Sequence, residues 1–116
     1  MLWQNQLLAA IQDDNLDRVK EVCEKSKKLA NGRYKDGSRP LHWACKIGSI
    51  EIVQNLMDQQ DAEVNVEDHS GATPLDWAIQ HQGNSHDVVQ YLTERGSTFR
   101  EEQNTNDEKQ KTMGML

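Results

Sequence analysis

The feature that most restricts the fold is an internal repeat. Shifted by 34 residues, the chain lays Leu7 on Leu41 and Leu75, and Ala10 on Ala44 and Ala78. Leu16 falls on Ile50, Asp17 on Glu51, Val19 on Val53 and Asn31 on Asn65. The stretch Gly37-Ser38-Arg39-Pro40-Leu41-His42-Trp43-Ala44 falls on Gly71-Ala72-Thr73-Pro74-Leu75-Asp76-Trp77-Ala78. The third unit then slips by two residues, so that Val89 and Leu92 answer to Val53 and Leu56. The slip is assigned to Gln82-Gly83-Asn84-Ser85, a cluster of turn formers. A regular period of this size implies a solenoid of stacked supersecondary units. Composition agrees: an apolar fraction of 35% with one Phe and two Tyr is thin for one central core. It is adequate for layers that each bury a little.

Each unit reads as two short antiparallel helices. Pro40 and Pro74 suit the first turn of a helix, where a missing N–H costs nothing. The first helices are expected at about 40–47 and 74–82, with Ala44 and Ala78 where neighbours approach closely. Gly48 ends the first of these and Ser49 can cap the next helix. That second helix shows Ile50, Val53, Leu56 and Met57 at the spacing of one buried face. Its counterparts are Leu16, Val19, Val22 and Cys23 before it, and Val88, Val89 and Leu92 after it. The links Asn31 to Gly37 and Asn65 to Gly71 are polar and end on glycine, as hairpin turns do.

Arg39-Pro40-Leu41-His42-Trp43-Ala44 and Thr73-Pro74-Leu75-Asp76-Trp77-Ala78 carry a resemblance to the ankyrin-repeat family, whose pattern is a turn and two helices with T-P-L-H-x-A. Gly48, Ile52-Val53, Val64-Asn65 and Gly96 also fall where that family has Gly, a branched apolar pair, Val-Asn and Gly. The resemblance covers roughly residues 4 to 98. It implies an all-α ankyrin-repeat solenoid of about three helix-turn-helix units with hairpin loops, with repeats near 3–33, 34–67 and 68–98. Departures are specific. Arg39 replaces the motif's Thr, Asp76 replaces its His, and Tyr34 stands at the hairpin tip where Asp68 keeps the family's Asp. The hydrogen bonds around the two turns must therefore differ. The first unit, Gln6-Leu7-Leu8-Ala9-Ala10-Ile11, lacks the motif, as a capping repeat with a polar outer face would. Residues 99–116 are polar and aperiodic from Arg100 to Lys111 and read as a disordered tail, with Met113, Met115 and Leu116 as a possible docking peptide.

Resemblance to this family implies a non-enzymatic protein–protein interaction module with no cofactor, binding its partner on the concave face formed by the first helices and the hairpin fingers. The residues expected there are Trp43, Lys46 and Ile47, then Trp77, Gln80 and His81, with Gln12 and Asp13 in the first unit. Two tryptophans at equivalent positions would stand side by side, one repeat apart, and Trp is enriched in binding hot spots. The other reading is that each Trp packs against the adjacent repeat. Ile47 is expected at an exposed slot, where an apolar side chain has less structural reason to be. The first finger, Arg33-Tyr34-Lys35-Asp36, reads as a basic and aromatic tip; the second, Glu67-Asp68-His69, is acidic. Their opposition could orient a partner or serve only solvent. Asn65 also resembles a hairpin asparagine that an asparaginyl hydroxylase modifies in some members of the family.

The net charge of −6 repels phosphate backbones, so nucleic acid is not expected as a partner. No signal peptide and no run long enough to span a bilayer is found, and Cys23 and Cys45 lie within apolar helical patterns. They read as reduced core residues, which places the chain in cytosol or nucleus. Catalysis is not expected: Cys45 fills a buried helix slot and His42 is the family's structural histidine. Nor is a metal site expected from His69, His81 and His86: the His81/His86 spacing does not share a helix face, and no Cys or carboxylate is set as a third ligand. The expected protein is a monomeric adaptor, inhibitor or assembly chaperone, similar in scale to myotrophin-like and small kinase-inhibitor ankyrin proteins. The alternative is a structural protein that self-assembles through the open repeat end or the tail.

Overall fold

A computed structural model of the chain describes residues 2–60, 62–83 and 86–96, so the expected tail lies outside the described residues. It is built from six short helices: α1 (Leu2–Gln12), α2 (Leu16–Cys23), α3 (Pro40–Ile47), α4 (Ile50–Gln54), α5 (Pro74–Gln82) and α6 (Asp87–Glu94). Helix α3 packs between α1 and α5, and α4 between α2 and α6. The first helices thus form one layer and the second helices another. Repeat-equivalent residues fill the space between them. Leu7, Leu41 and Leu75 are fully buried, as are Val22, Leu56 and Leu92, and Ala10, Ala44 and Ala78 let the first helices approach. Each fully buried leucine contributes on the order of 2 kcal/mol, so the core is a sum of thin layers.

Local chemistry sets the helix ends. Thr73 Oγ1 accepts from the Asp76 N–H (3.2 Å) while Asp76 Oδ2 accepts from the Thr73 N–H (2.9 Å), a reciprocal cap on α5. Arg39 has no hydroxyl to offer. At the start of α3 the reciprocal acceptor is instead His42 Nδ1, which takes the Arg39 N–H at 3.0 Å. Between paired helices, Gly48 sits at φ +81°, and Asp14 occupies the equivalent slot at φ +54°. Asn15 and Ser49 then cap α2 and α4 through Arg18 N–H and Ile52 N–H. In the first repeat Arg18 stands where Ile52 and Val88 are buried in the others, and it bonds to Glu21 and Gln6 instead.

The second helix of the middle repeat is less regular than its apolar spacing predicts. After Gln54 it widens into a π turn over Asn55–Gln59, with Gln60 N–H bonded to the Asn55 carbonyl at 3.1 Å. Within this turn Leu56 is fully buried while Met57 is only partly so.

The two fingers share one backbone turn. Tyr34 and Asp68 donate N–H to the carbonyls of Ser38 (2.8 Å) and Ala72 (2.9 Å), and Gly37 and Gly71 close the loop onto the Tyr34 and Asp68 carbonyls. The fingers are joined by His69 N–H, which donates to the Asp36 carbonyl at 2.8 Å. Gly37 has φ +81°, and a Cβ there would lie 2.7 Å from the His69 nitrogen. At Gly48 the nearest obstacle is the end of the Gln82 side chain, which can move. Both Gly→Ala changes incur left-handed strain of about 1–2 kcal/mol. Gly37→Ala should lose about 1–2 kcal/mol more, because it also parts the fingers. Urea denaturation of the two variants checks the order; equal losses would mean the finger contact adds nothing.

Candidate functional site

The two tryptophans meet. Their ring centroids are 5.3 Å apart at 70°, edge to face, across the seam between α3 and α5. Each indole N–H is anchored within its own repeat: Trp43 Nε1 donates to Ser38 Oγ (2.9 Å) and Trp77 Nε1 to Asp68 Oδ2 (3.0 Å). Ser38 Oγ in turn donates to Asp36 Oδ1. The rings are thus fixed and half-buried, with both donors used and ring surface left open. His81, exposed, tilts against Trp77 with ring centroids 6.3 Å apart, and Lys46 Nζ lies 4.9 Å above the Trp43 ring. Gln80 is exposed beside them.

Two expectations need correction. Ile47 is half-buried and packs against the core, so its apolar side chain is explained by the fold and not by an exposed slot. Tyr34 does not stand out at a finger tip. Its ring turns back to α1, where the hydroxyl donates to the Gln4 carbonyl at 3.1 Å, and burial pushes its pKa up to about 12. Arg33 and Lys35 remain exposed on either side of it and, with Gln4, Asn5 and Tyr34, line a cleft of about 410 Å³. Arg39 is turned inward and donates to the Asn31 carbonyl at 3.1 Å. Gln12 and Asp13 are exposed at the end of α1. The hairpin asparagines tie repeats together: Asn31 Oδ1 accepts from Glu63 N–H, and Asn65 Nδ2 donates to the Gly96 carbonyl.

Ser38 and Gln4 were not legible as supports of this surface. Ser38 aligns with Ala72, so the repeat gives no hint that it carries an indole; Gln4 lies before the first recognisable motif. In the sequence Asp68 reads only as a tip residue. It receives Ser70 Oγ–H and the N–H groups of Ser70 and Ala72 as well as Trp77 Nε1–H. Partial burial raises its pKa, but these donors outweigh it and hold the carboxyl at about 2. Asp36, opposed in the same way by partial burial, is held below its ordinary value by the Ser38 hydroxyl and N–H. Burial pushes the Cys23 thiol up to about 11 and raises that of Cys45 further, which leaves both poor nucleophiles. Among the described residues no group of His, Cys, Asp and Glu is placed to hold a metal ion, and no helix is long and apolar enough to cross a membrane.

A family model for ankyrin repeats, in three copies, matches residues 7–107. The chain is an ankyrin-repeat protein. It is similar to the 26S proteasome non-ATPase regulatory subunit 10 of Dictyostelium discoideum, 34% identical over 94 residues, which is 81% of this chain and 40% of that protein. The rat protein of the same name is 41% identical over 59 residues, 51% of this chain and 25% of its own length. A putative ankyrin repeat protein of Rickettsia bellii is 34% identical over 90 residues, covering 75% and 46% of the two chains. The chain spans less than half the length of each of these three relatives. Ankyrin repeats are protein–protein interaction modules, and this chain is one of them.

The histidine of the ankyrin motif gives the stack a pH dependence. His42 is fully buried; its Nδ1 accepts from Arg39 N–H, so its Nε2–H donates to the Ala72 carbonyl at 2.9 Å. Burial lowers its pKa, against the pull of the Ala72 carbonyl and of Asp68 and Asp36. The unfolded chain, with an ordinary histidine, therefore binds a proton before the folded chain does. Stability present above about pH 6.5 should fall as the pH drops toward 5, ahead of carboxylate titration. Denaturation midpoints at several pH values check this, and His42→Gln should flatten the dependence. An unchanged slope in that variant would show that His42 is not its source.

Proposed function

We propose that this chain binds another protein across the concave face of α3 and α5, as an adaptor, an inhibitor or an assembly chaperone, without catalysing a reaction. The observation that carries the proposal is the edge-to-face tryptophan pair, whose N–H groups are already bonded within the fold. A fixed aromatic platform of this kind buries a large area at little entropic cost when a partner covers it. Lys46, Gln80 and His81 surround it, and Arg33 and Lys35 stand on the adjoining finger. Two relatives are named as a non-ATPase regulatory subunit of the 26S proteasome, which supports a partner that is itself part of a multi-protein assembly. The self-assembling alternative has less support: on the third helix pair Gln90 and Thr93 are exposed and polar, and His86 is engaged in capping α6.

Because Ile47 packs on the core, substitution there would disturb the fold as well as the face. The informative variants are Gln80→Glu/His81→Glu, both at exposed positions, and Trp43→Ala, with Lys20→Glu on exposed α2 surface as control. A partner captured by the wild-type chain should bind Trp43→Ala about 30-fold more weakly, the effect of a ~2 kcal/mol hot spot, and the control unchanged. Circular dichroism checks that each variant folds. Retention of the partner by both α3 and α5 variants would move the site off the concave face.

A further inference from the structure

The charges of this face are sorted along the stack. From Arg33 to Ile47 the chain carries Arg33, Lys35, Arg39 and Lys46 against Asp36 alone. From 62 to 82 it carries Glu63, Glu67, Asp68 and Asp76 and no lysine or arginine. The hydrogen bonds reinforce the division. Asp36, the one anion on the basic side, is turned onto the Ser38 N–H and hydroxyl. Arg33, Lys35 and Lys46 form no ion pair among the described residues; Lys46 rests on the Trp43 ring. On the acidic side, Glu63 and Glu67 are exposed and Asp68 is held in the turn as a fixed anion by its four donors. The halves abut, since His69 N–H bonds the Asp36 carbonyl and the indoles touch. A bound segment therefore meets positive potential at one finger, aromatic surface at the seam, and negative potential at the next finger.

We propose that the partner segment on this face has segregated charges, with carboxylates over Arg33, Lys35 and Lys46, cations over Glu67 and Asp68, and an apolar side chain on the tryptophan pair between them. The inference rests on the concave-face reading above and adds the polarity and chemistry of the partner. Complementary potentials fix register and reject partners whose like charges would be brought into contact. A segment with the same residues in alternating order would meet repulsion at every second position on either finger.

Two synthetic peptides of identical composition test this, each of about twelve residues, which reach about 40 Å when fully extended. One carries a glutamate block, a central Leu-Phe pair and a lysine block; the other interleaves the glutamates and lysines around the same pair. Titration by fluorescence anisotropy at low salt should give at least about tenfold tighter binding for the segregated peptide. High salt should erase the preference, and so should Arg33→Glu/Lys35→Glu, which alters exposed side chains only. Absence of binding by the segregated peptide, or a preference that survives the charge reversal, overturns the inference. Equal binding of both peptides, lost in Trp43→Ala, also overturns it while leaving the concave face as the binding surface. Dimerisation of the chain that is abolished by Arg33→Glu/Lys35→Glu, seen by light scattering, would give the face to a second copy and overturn it too.

Discussion

Register between neighbouring repeats is the constraint on which the stack depends, and a single buried imidazole does much to set it. His42 accepts from the start of its own helix and donates to the Ala72 carbonyl, just ahead of the next repeat's first helix. Because the ring is fully buried, losing either partner would leave a polar nitrogen unsatisfied at a cost of about 1–3 kcal/mol. The same seam carries the His69–Asp36 backbone bond between fingers and the contact of the two indoles. A displacement of one repeat against the next would break all three together. Thin layers of leucine and alanine supply the burial, but these directional contacts decide how one layer sits on another.

That division explains what could be read from the sequence. Leucines at 7, 41 and 75, alanines at 10, 44 and 78, and the prolines that open α3 and α5 recur at a fixed interval, so period alone places them. Gly48 and Ser49 declare a helix end and a cap by residue type. The same device in the first repeat is disguised as Asp14 and Asn15, with Asp14 held at positive φ. Features made by contacts between distant residues were not legible. Tyr34 turns inward because a carbonyl thirty residues earlier, at Gln4, receives its hydroxyl. Ile47 is half-covered by neighbours that a local pattern does not identify. The π turn after Gln54 adjusts spacing that the apolar pattern presents as regular.

The candidate surface follows from the same economy of parts. A hairpin turn that closes each repeat also supplies the acceptor for its tryptophan, through Ser38 in one finger and Asp68 in the next. Folding thus fixes the rings before any partner arrives, which lowers the entropy lost on association. Other reactive groups are committed to the fold as well: the cysteine thiols are buried and hard to ionise, and the motif histidine is spent on holding repeats together.

Hydroxyl-radical footprinting of the chain, free and bound to its captured partner, tests the central claim most directly, because three tryptophans report on separate places. Trp43 and Trp77 lie at the seam of α3 and α5, whereas Trp3 is exposed on α1 beneath the Lys25 ammonium. Partner binding through the concave face should protect Trp43, Trp77 and His81 from oxidation and leave Trp3 reactive. Protection of Trp3 with no change at Trp43 and Trp77 would contradict it and place the partner at the first repeat.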